Sequence, residues 1–284
     1  MIYVLALLGV LSISFSAVFV RLAGVSPATA TFFRGAYALP PLFVIWWWQR
    51  SGDHRVAGAR WLAVTSGVIL AADLDLWHES IALLGAGLGT VIANVQVVFV
   101  AAAVWMLYGD RPTRRTVLTI ALVLSGVVMT SGLARSDAYG SNPVAGAAIG
   151  VLAGVCYAVF LLMYRAANQS IAPRAGPLLD STIGVVAGAL MSSPFDPRFT
   201  LMPSPAAHGW LFLLAIGSQV IGWLLLGNAM RRLPAVQMSI LLLGQPVFAV
   251  FWGLLLFGER LSPLQWAGAG IVLAGVTSMS LGKD

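Results

Sequence analysis

Long apolar runs separated by short polar breaks extend along the whole chain. A run of about 20 apolar residues is long enough for an α-helix to cross a bilayer. Ten such runs predict ten membrane-spanning helices, five in each half of the chain. Their predicted bounds are 2–22, 27–49, 61–83, 87–108, 115–133, 144–166, 175–193, 209–230, 234–257 and 263–281. The connections are short, so no separate soluble domain is expected, and His54 and His208 are expected in loops.

The composition indicates that lipid surrounds the chain. Of its 284 residues, 59% are hydrophobic and 9% are charged, whereas soluble domains carry roughly 25% charged residues. A net charge of +6 would favour nucleic acid as a partner of a soluble protein. Here the cations lie at the ends of predicted helices, so membrane topology explains them better and no nucleic-acid partner is expected. The single cysteine, Cys156, excludes an intrachain disulfide.

The distribution of Lys and Arg predicts the orientation of the helices. With the N-terminus inside, eleven cations lie at cytoplasmic ends and five at outer ends. Cytoplasmic loops carry an excess of Lys and Arg, so both termini are expected in the cytoplasm. The first apolar run has no basic region before it and no obvious cleavage site, which predicts a retained helix rather than a signal peptide.

The two halves of the chain repeat each other. Gly109-Asp110-Arg111 ends the fourth run and Gly258-Glu259-Arg260 ends the ninth, an offset of 258 − 109 = 149 residues. Further pairs at this offset are Gln96 with Gln245 and Gly126 with Gly275. A repeat with an odd number of spans inserts its second copy upside down. We therefore expect an all-α integral membrane protein in which residues 1–133 and 142–284 form two inverted five-helix repeats around a central cavity.

These two copies resemble the drug/metabolite transporter superfamily and, more narrowly, its EamA-type exporters. Each copy is an apolar span ending in Gly-(Asp/Glu)-Arg, followed by a glycine-bearing final span. The resemblance covers essentially the whole chain, although the first copy has Val97 where the second has Pro246. It implies a secondary transporter in the bacterial inner membrane that exports small polar metabolites by alternating access. Within this group the chain most resembles bacterial exporters of amino acids, including the YddG-type exporters of aromatic amino acids.

Ionisable side chains in the third span are the first functional candidates, because a charge inside the bilayer is costly unless it is paired or hydrated. Asp75, His78 and Glu79 follow an i, i+3, i+4 spacing and share one helix face. Asp73 and Trp77 share another face. His78 stands out because its unperturbed pKa lies near neutrality, so its charge responds to small changes in exposure.

Arginines at similar predicted depth offer partners for these acids. We expect some of Asp73, Asp75 and Glu79 to pair with Arg34 or Arg21. The three acids and Arg34 are predicted to form a gate or a coupling network. A charge network that only holds the first three helices together is an equally weighted alternative.

Uncharged polar and aromatic side chains near mid-span would suit a zwitterion with an apolar or aromatic side chain. Gln96 and Gln245 are the strongest candidates for substrate binding, because inverted symmetry places equivalent residues on opposite sides of one central site. The remaining predicted substrate-binding residues are Trp77, His78, Tyr157, Asn94, Gln219 and Trp223. Each polar group could instead be a hydrogen bond between helices.

Missing cations narrow the substrate class. Lys283 is the only lysine, and no arginine lies within spans four or nine. A carrier of phosphorylated sugars would need fixed cations deep in its cavity. The expected partner is therefore an amino acid or similar small molecule within a lipid bilayer, with a broad multidrug exporter as the alternative. A monomer is expected, and an oligomer stays open.

Enzymatic readings find little support in the sequence. The segment His78-Glu79-Ser80-Ile81-Ala82 begins like the zinc motif His-Glu-x-x-His but ends in alanine. Asp73 and Asp75 are two residues apart on a helix and point in nearly opposite directions, so they cannot share a proton. No enzyme activity, cofactor or metal is expected. A non-transport membrane protein, either an intramembrane enzyme or an assembly subunit, is the alternative of a different class.

Glycines at regular spacing predict close helix contacts. Gly146, Gly150 and Gly154 recur every four residues along the sixth span, and Gly184 and Gly188 do the same on the seventh. We expect both sets to pack inside one helix bundle rather than to form a homodimer interface.

Overall fold

A computed structural model of the chain describes residues 1–84, 92–130, 142–169, 175–258 and 262–281. Within these ranges all regular secondary structure is helical. Six helices are long and apolar enough to cross a membrane, and a shorter apolar helix covers Ile92–Tyr108. The six are Ile2–Ala23, Ala57–Leu83, Val144–Ala167, Ala175–Phe195, Pro205–Met230 and Ala235–Leu256. The predicted all-α membrane fold is confirmed.

The helices follow the predicted spans closely. Those of the first half are α1 Ile2–Ser14, α2 Ser16–Ala23, α3 Pro27–Gln49, α4 Ala57–Leu84, α5 Gln96–Tyr108 and α6 Arg114–Thr130. Those of the second half are α7 Pro143–Ala167, α8 Ala175–Ser192, α9 Pro205–Leu213, α10 Trp223–Met230, α11 Ala235–Leu242, α12 Gly244–Phe257 and α13 Pro263–Leu281. A π-helical stretch, Leu214–Gly222, joins α9 to α10.

The expectation that His208 lies in a loop is wrong. Helix α9 begins at Pro205, four residues before the predicted start of the eighth span. The Ser204 hydroxyl caps the helix by accepting a hydrogen bond from the Ala207 amide at 3.2 Å. Ser-Pro at a helix start is an N-cap followed by a favourable first residue, and the same two residues also occur in loops. His208 therefore faces α3, where its Nδ1 is 2.5 Å from the Tyr37 hydroxyl.

The chain divides into two compact units, each built from segments of both sequence halves. The first unit comprises Met1–Asp75 and Val159–Leu233, and the second comprises Leu76–Ala158 and Pro234–Asp284. In the first unit α3 packs against α8, and α1 packs against α10 and the π-helical stretch. In the second unit α6 packs against α13, and α5 packs against α11.

Glycines allow very close helix contact in the first unit. A Cβ added at Gly67 of α4 would lie 1.7 Å from the Ser181 carbonyl oxygen of α8. A Cβ added at Gly184 of α8 would lie 1.9 Å from the Val64 carbonyl oxygen of α4. The two backbones touch at this crossing, which no other residue type would permit. The predicted packing role of the seventh-span glycines is confirmed.

The glycine stripe of α7 packs within the second unit, as predicted. A Cβ at Gly150 would lie 2.6 Å from the Ser80 hydroxyl of α4, and that hydroxyl donates to the Gly146 carbonyl at 2.8 Å. A Cβ at Gly154 would lie 3.3 Å from the Ala93 carbonyl oxygen. These contacts place α7 against both α4 and the start of the fourth span.

The repeated Gly-(Asp/Glu)-Arg motif begins with a helix-terminating glycine. Gly109 follows α5 with φ 75° and Gly258 follows α12 with φ 64°, both in the left-handed region. Glycine adopts this conformation without the steric cost that other residues incur. The motif therefore ends the fourth and ninth spans by the same backbone geometry.

Candidate substrate and coupling sites

A buried polar cluster joins three elements of the first unit. Arg34 on α3 donates from Nε to the Gln219 side-chain oxygen at 2.8 Å. The Gln219 side-chain nitrogen donates to the Thr182 hydroxyl of α8 at 3.1 Å. The three residues are 7%, 1% and 0% exposed, in the order Arg34, Gln219, Thr182. Both ends of the Gln219 amide are thus hydrogen-bonded, and we call this group, together with Asp73, the Arg34 cluster.

Asp73 brings a carboxyl group to the same cluster. It is 8% exposed and interacts electrostatically with Arg34 and with Asp75. Asp75, one half-turn further along α4, lies beside Ser192 and near Asp196. A buried arginine is tolerated when polar groups compensate its charge, and here the Gln219 oxygen accepts a hydrogen bond from it. Asp73 is the acid of the third span with an electrostatic interaction with Arg34, and the predicted ion pair between them remains a prediction.

Gln219 reaches this cluster from a π-helical stretch. The Ser12 hydroxyl of α1 donates to the Gly217 carbonyl oxygen at 2.7 Å, and Ser218 donates back to the Ser12 carbonyl at 3.3 Å. A Cβ at Gly222 would lie 2.6 Å from the Ile13 side chain, so α1 also packs closely here. π-Helical turns are rare and occur often at functional sites. This one turns Gln219 towards α3 and α8.

Trp223 lies in the core of the first unit. It is 2% exposed, and its ring meets Phe160 at 4.9 Å and Tyr164 at 5.6 Å, both in edge-on geometry. Its indole nitrogen has no hydrogen-bond partner among the described residues. Trp223 therefore contributes aromatic packing, and a substrate role for it remains a prediction.

Helices break at nearly equivalent points in the fourth and ninth spans of the second unit. Val95 separates the turn that begins at Ile92 from α5, and its amide donates to the Ile92 carbonyl at 3.1 Å. Leu243 separates α11 from α12, and its amide donates to the Ile240 carbonyl at 3.0 Å. The breaks are 243 − 95 = 148 residues apart, one fewer than the repeat offset.

Only one of the two breaks has a proline to explain it. Pro246 has no amide hydrogen and cannot donate to the Leu242 carbonyl, which loses its usual helical donor. The fourth span has Val97 at the equivalent position and breaks without proline. Val95 with φ −63° and ψ −11°, and Leu243 with φ −64° and ψ −10°, both keep right-handed helical dihedrals, so each helix is interrupted locally without unwinding.

Gln96 begins α5 directly after the break in the fourth span. It is 2% exposed, and its side-chain oxygen has no hydrogen-bond partner among the described residues. The α7 backbone passes close by, since a Cβ at Gly154 would lie 3.5 Å from the Gln96 amide nitrogen. An unsatisfied buried acceptor costs about 1–3 kcal/mol. Gln96 thus presents an acceptor that a ligand N–H could satisfy.

The other predicted substrate residues of the second unit are all partly buried. Gln245 is the second residue of α12, and Asn94 directly precedes the break at Val95. Trp77 and His78 of α4 lie with ring centroids 5.0 Å apart at an interplanar angle of 61°. Tyr157 lies on α7.

The structure separates the predicted residues into two sets. The second unit contains Gln96, Gln245, Asn94, Trp77, His78, Tyr157 and Glu79, and the first contains Arg34, Asp73, Asp75, Gln219 and Trp223. Glu79 is exposed, whereas Asp73 is buried. The predicted face of Asp75, His78 and Glu79 is thus divided between the units, because the boundary falls after Asp75.

A second charge network, not predicted from the sequence, lies where the α3–α4 connection meets α8. Arg55 binds Asp53 at 2.8 Å and Asp180 at 2.8 Å, and its side chain is 1% exposed. The Trp46 indole also donates to Asp53 at 2.7 Å. The Arg55 hydrogen bond, aided by that of Trp46, lowers the pKa of Asp53 to about 2. Asp180 was detectable as an acid inside the seventh span, by the rule applied to the third.

Broken helices and buried polar clusters at membrane depth are the architecture of secondary transporters. The model of the EamA-like transporter family matches residues 1–132 and 144–281. The chain belongs to this family.

Curated relatives carry transporter names. The chain is 24% identical over 225 residues to "Uncharacterized transporter YwfM" of Bacillus subtilis, covering 77% of this chain and 73% of that protein. It is 22% identical over 281 residues to "Uncharacterized transporter YcbK" of the same organism, covering 92% and 85%. It is 27% identical over 139 residues to "Threonine/homoserine exporter RhtA" of Escherichia coli, covering 48% and 45%.

The fold also matches a solved structure. A crystal structure superposes with a TM-score of 0.82 at 15% sequence identity, covering 99% of this chain and 98% of the other. At this identity the match establishes the fold alone.

Proposed function

We propose that this EamA-family chain exports small polar metabolites, above all amino acids including aromatic ones, across the bacterial inner membrane. The observation that carries the substrate class is the buried Gln96 side-chain oxygen with no partner among the described residues. An amino-acid ammonium group donates N–H bonds to neutral acceptors without needing a carboxylate. The relative named as a threonine/homoserine exporter supports the same class.

Alternating access is proposed as the mechanism. In this account residues 1–133 and 142–284 are inverted repeats, both termini are cytoplasmic, and Gln96 and Gln245 contribute equivalent groups to the substrate path. The helix interruptions at Val95 and Leu243 lie beside these two glutamines, and many transporters bind substrate where their membrane helices are discontinuous. Trp77, His78, Asn94 and Tyr157 would complete the lining.

The Arg34 cluster is proposed as the gate or coupling element. A buried Arg–Asp pair is costly to break unless another group replaces one partner. Substrate or proton binding that weakens the hold of Arg34 on Asp73 would loosen α3, α4 and α8 together. Asp75 and Glu79 would extend this network along α4.

Counterflow in liposomes that hold only the purified chain tests the proposal. Liposomes preloaded with unlabelled amino acids would receive labelled threonine, homoserine or phenylalanine, or a cationic dye, outside. We expect accumulation of at least one amino acid, abolished by unlabelled amino acid. Dye accumulation without amino-acid competition would favour the multidrug alternative. No counterflow from folded protein would favour a non-transport role, as an intramembrane enzyme or an assembly subunit.

Three variants locate the path. His78→Ala and Gln245→Ala are expected to lower counterflow at least tenfold with insertion and folding intact. Gln49→Ala is the matched control, because Gln49 is an exposed glutamine at the end of α3. Wild-type rates in both site variants would contradict the assigned path.

A further inference from the structure

An apolar groove lies on the first unit between α3 and α8. Its volume is about 480 Å³, and its apolar lining includes Leu39, Pro40, Phe43, Leu179 and Ile183. Phe43 and Ile183 are 48% and 43% exposed. Both helices correspond to predicted spans, so we expect the groove to open to the surrounding lipid. Two turns of α3, about 10 Å, separate Leu39 from Trp46 at the other end of the groove.

The charged end of the groove is formed by Arg60. Its side chain is 54% exposed, and its Nε is 3.3 Å from an Asp180 oxygen. The same Asp180 oxygen also pairs with Arg55 at 2.8 Å, and Arg55 forms a second ion pair with Asp53. Two arginines and two aspartates therefore meet here, and Arg55 contacts both acids. Arg60 has only a shared carboxylate and retains positive character towards the lipid.

Exposed tryptophans indicate that this end lies at headgroup depth. Trp48 at the end of α3 is 79% exposed, and Trp61, directly after Arg60, is 69% exposed. The Arg50 guanidinium stacks 3.6 Å above the Trp47 ring. Tryptophans gather where the bilayer meets water, with their rings among the headgroups. At this depth Arg60 would face lipid phosphates, while Leu39 and Phe43 would face acyl chains.

We propose that this groove binds one anionic phospholipid. The headgroup phosphate would pair with Arg60, since a guanidinium matches phosphate geometry through two parallel N–H bonds. One acyl chain would lie along Phe43, Leu39 and Ile183. A zwitterionic lipid carries its own ammonium and gains less from the arginine. A free phosphate ion would leave the apolar groove unused. The proposal does not depend on which substrate the protein carries.

Native mass spectrometry of the full chain with equal amounts of phosphatidylglycerol and phosphatidylcholine tests this site. Phosphatidylglycerol adducts are expected to predominate. Arg60→Gln should lower them about fivefold, the effect of one arginine at a membrane surface. Arg114→Gln, at an exposed arginine at the start of α6, is the matched control and should change nothing. The fold should survive Arg60→Gln because Arg55 still holds Asp180.

A second variant tests the groove itself. Ile183→Trp adds bulk at a lipid-exposed position and should lower adducts of both lipids. Equal adducts of the two lipids in the unaltered protein would overturn the proposal, as would an unchanged preference in Arg60→Gln. Loss of phosphatidylglycerol on adding millimolar inorganic phosphate would overturn it too, because the arginine would then be a site for a free anion.

Discussion

Two buried glutamines with the same chemistry have opposite surroundings in the two units. Gln219 in the first unit receives a hydrogen bond from Arg34 and donates one to Thr182. Gln96 in the second unit is equally buried, but its side-chain oxygen has no partner among the described residues. A satisfied buried amide stabilises the packing of its helices, whereas an unsatisfied one reduces stability. The contrast separates a residue that maintains structure from one that is available to a ligand.

The largest expected effect is a loss of stability when Arg34, the partner of Gln219, is replaced. Arg34→Leu leaves Asp73 and the Gln219 oxygen buried without their cation. Breaking a buried pair by removing one partner costs about 3–5 kcal/mol. Equilibrium unfolding in mixed micelles should show this loss, with Arg114→Leu at an exposed site unchanged. Arg34→Leu combined with Asp73→Leu should recover part of the stability. A single variant as stable as the parent would mean that the Arg34 cluster does not hold these helices.

A smaller effect tests the helix crossing that brings Thr182 to the Arg34 cluster. Gly67→Ala places a Cβ 1.7 Å from a backbone oxygen, so α4 and α8 must separate. Overpacking of this kind costs about 1–3 kcal/mol and occasionally more. Gly270→Ala is the control on α13, where an added Cβ meets nothing within 4 Å. It should be neutral or stabilising by up to about 1 kcal/mol. Equal unfolding midpoints of the two variants would contradict the crossing.

The smallest effect concerns Asp53, which lies outside the membrane spans. Its carboxylate is satisfied by Arg55 and by the Trp46 indole. The pKa of Asp53 is lowered to about 2 in the folded chain from an unperturbed 3.8. Its stabilising contribution is therefore complete above about pH 4 and is lost as the pH falls through 2. Asp53→Asn should flatten the dependence of unfolding on pH in this window. A window that persists unchanged in Asp53→Asn would assign it to another carboxylate.

The spans and the helix contacts were largely predictable, because both depend on local pattern. Apolar runs predicted the ten spans, and glycine spacing predicted the packing faces of α7 and α8. The Gly109 and Gly258 helix ends follow from a motif visible in both halves. His208 was misplaced because Ser-Pro is common both in loops and at helix starts.

The roles of individual polar residues were not predictable, because they depend on partners far away in the chain. The sequence around Gln219 does not show that its side chain donates to Thr182. The sequence around Gln96 does not show that its side-chain oxygen has no partner among the described residues. The helix break at Val95 could not be predicted, because the fourth span has Val97 where the ninth span has Pro246. Arg55 and Asp180 are 125 residues apart (180 − 55), and only the contact between the α3–α4 connection and α8 brings them together.

The most direct test compares Gln96→Leu with Gln219→Leu for both stability and counterflow. We expect Gln219→Leu to lose about 1–3 kcal/mol of stability, because Arg34 loses its acceptor. Gln96→Leu should be as stable as the parent or slightly more stable, yet its amino-acid counterflow should fall at least tenfold. The reverse result, Gln96→Leu destabilised as much as Gln219→Leu with its transport unchanged, would contradict the account.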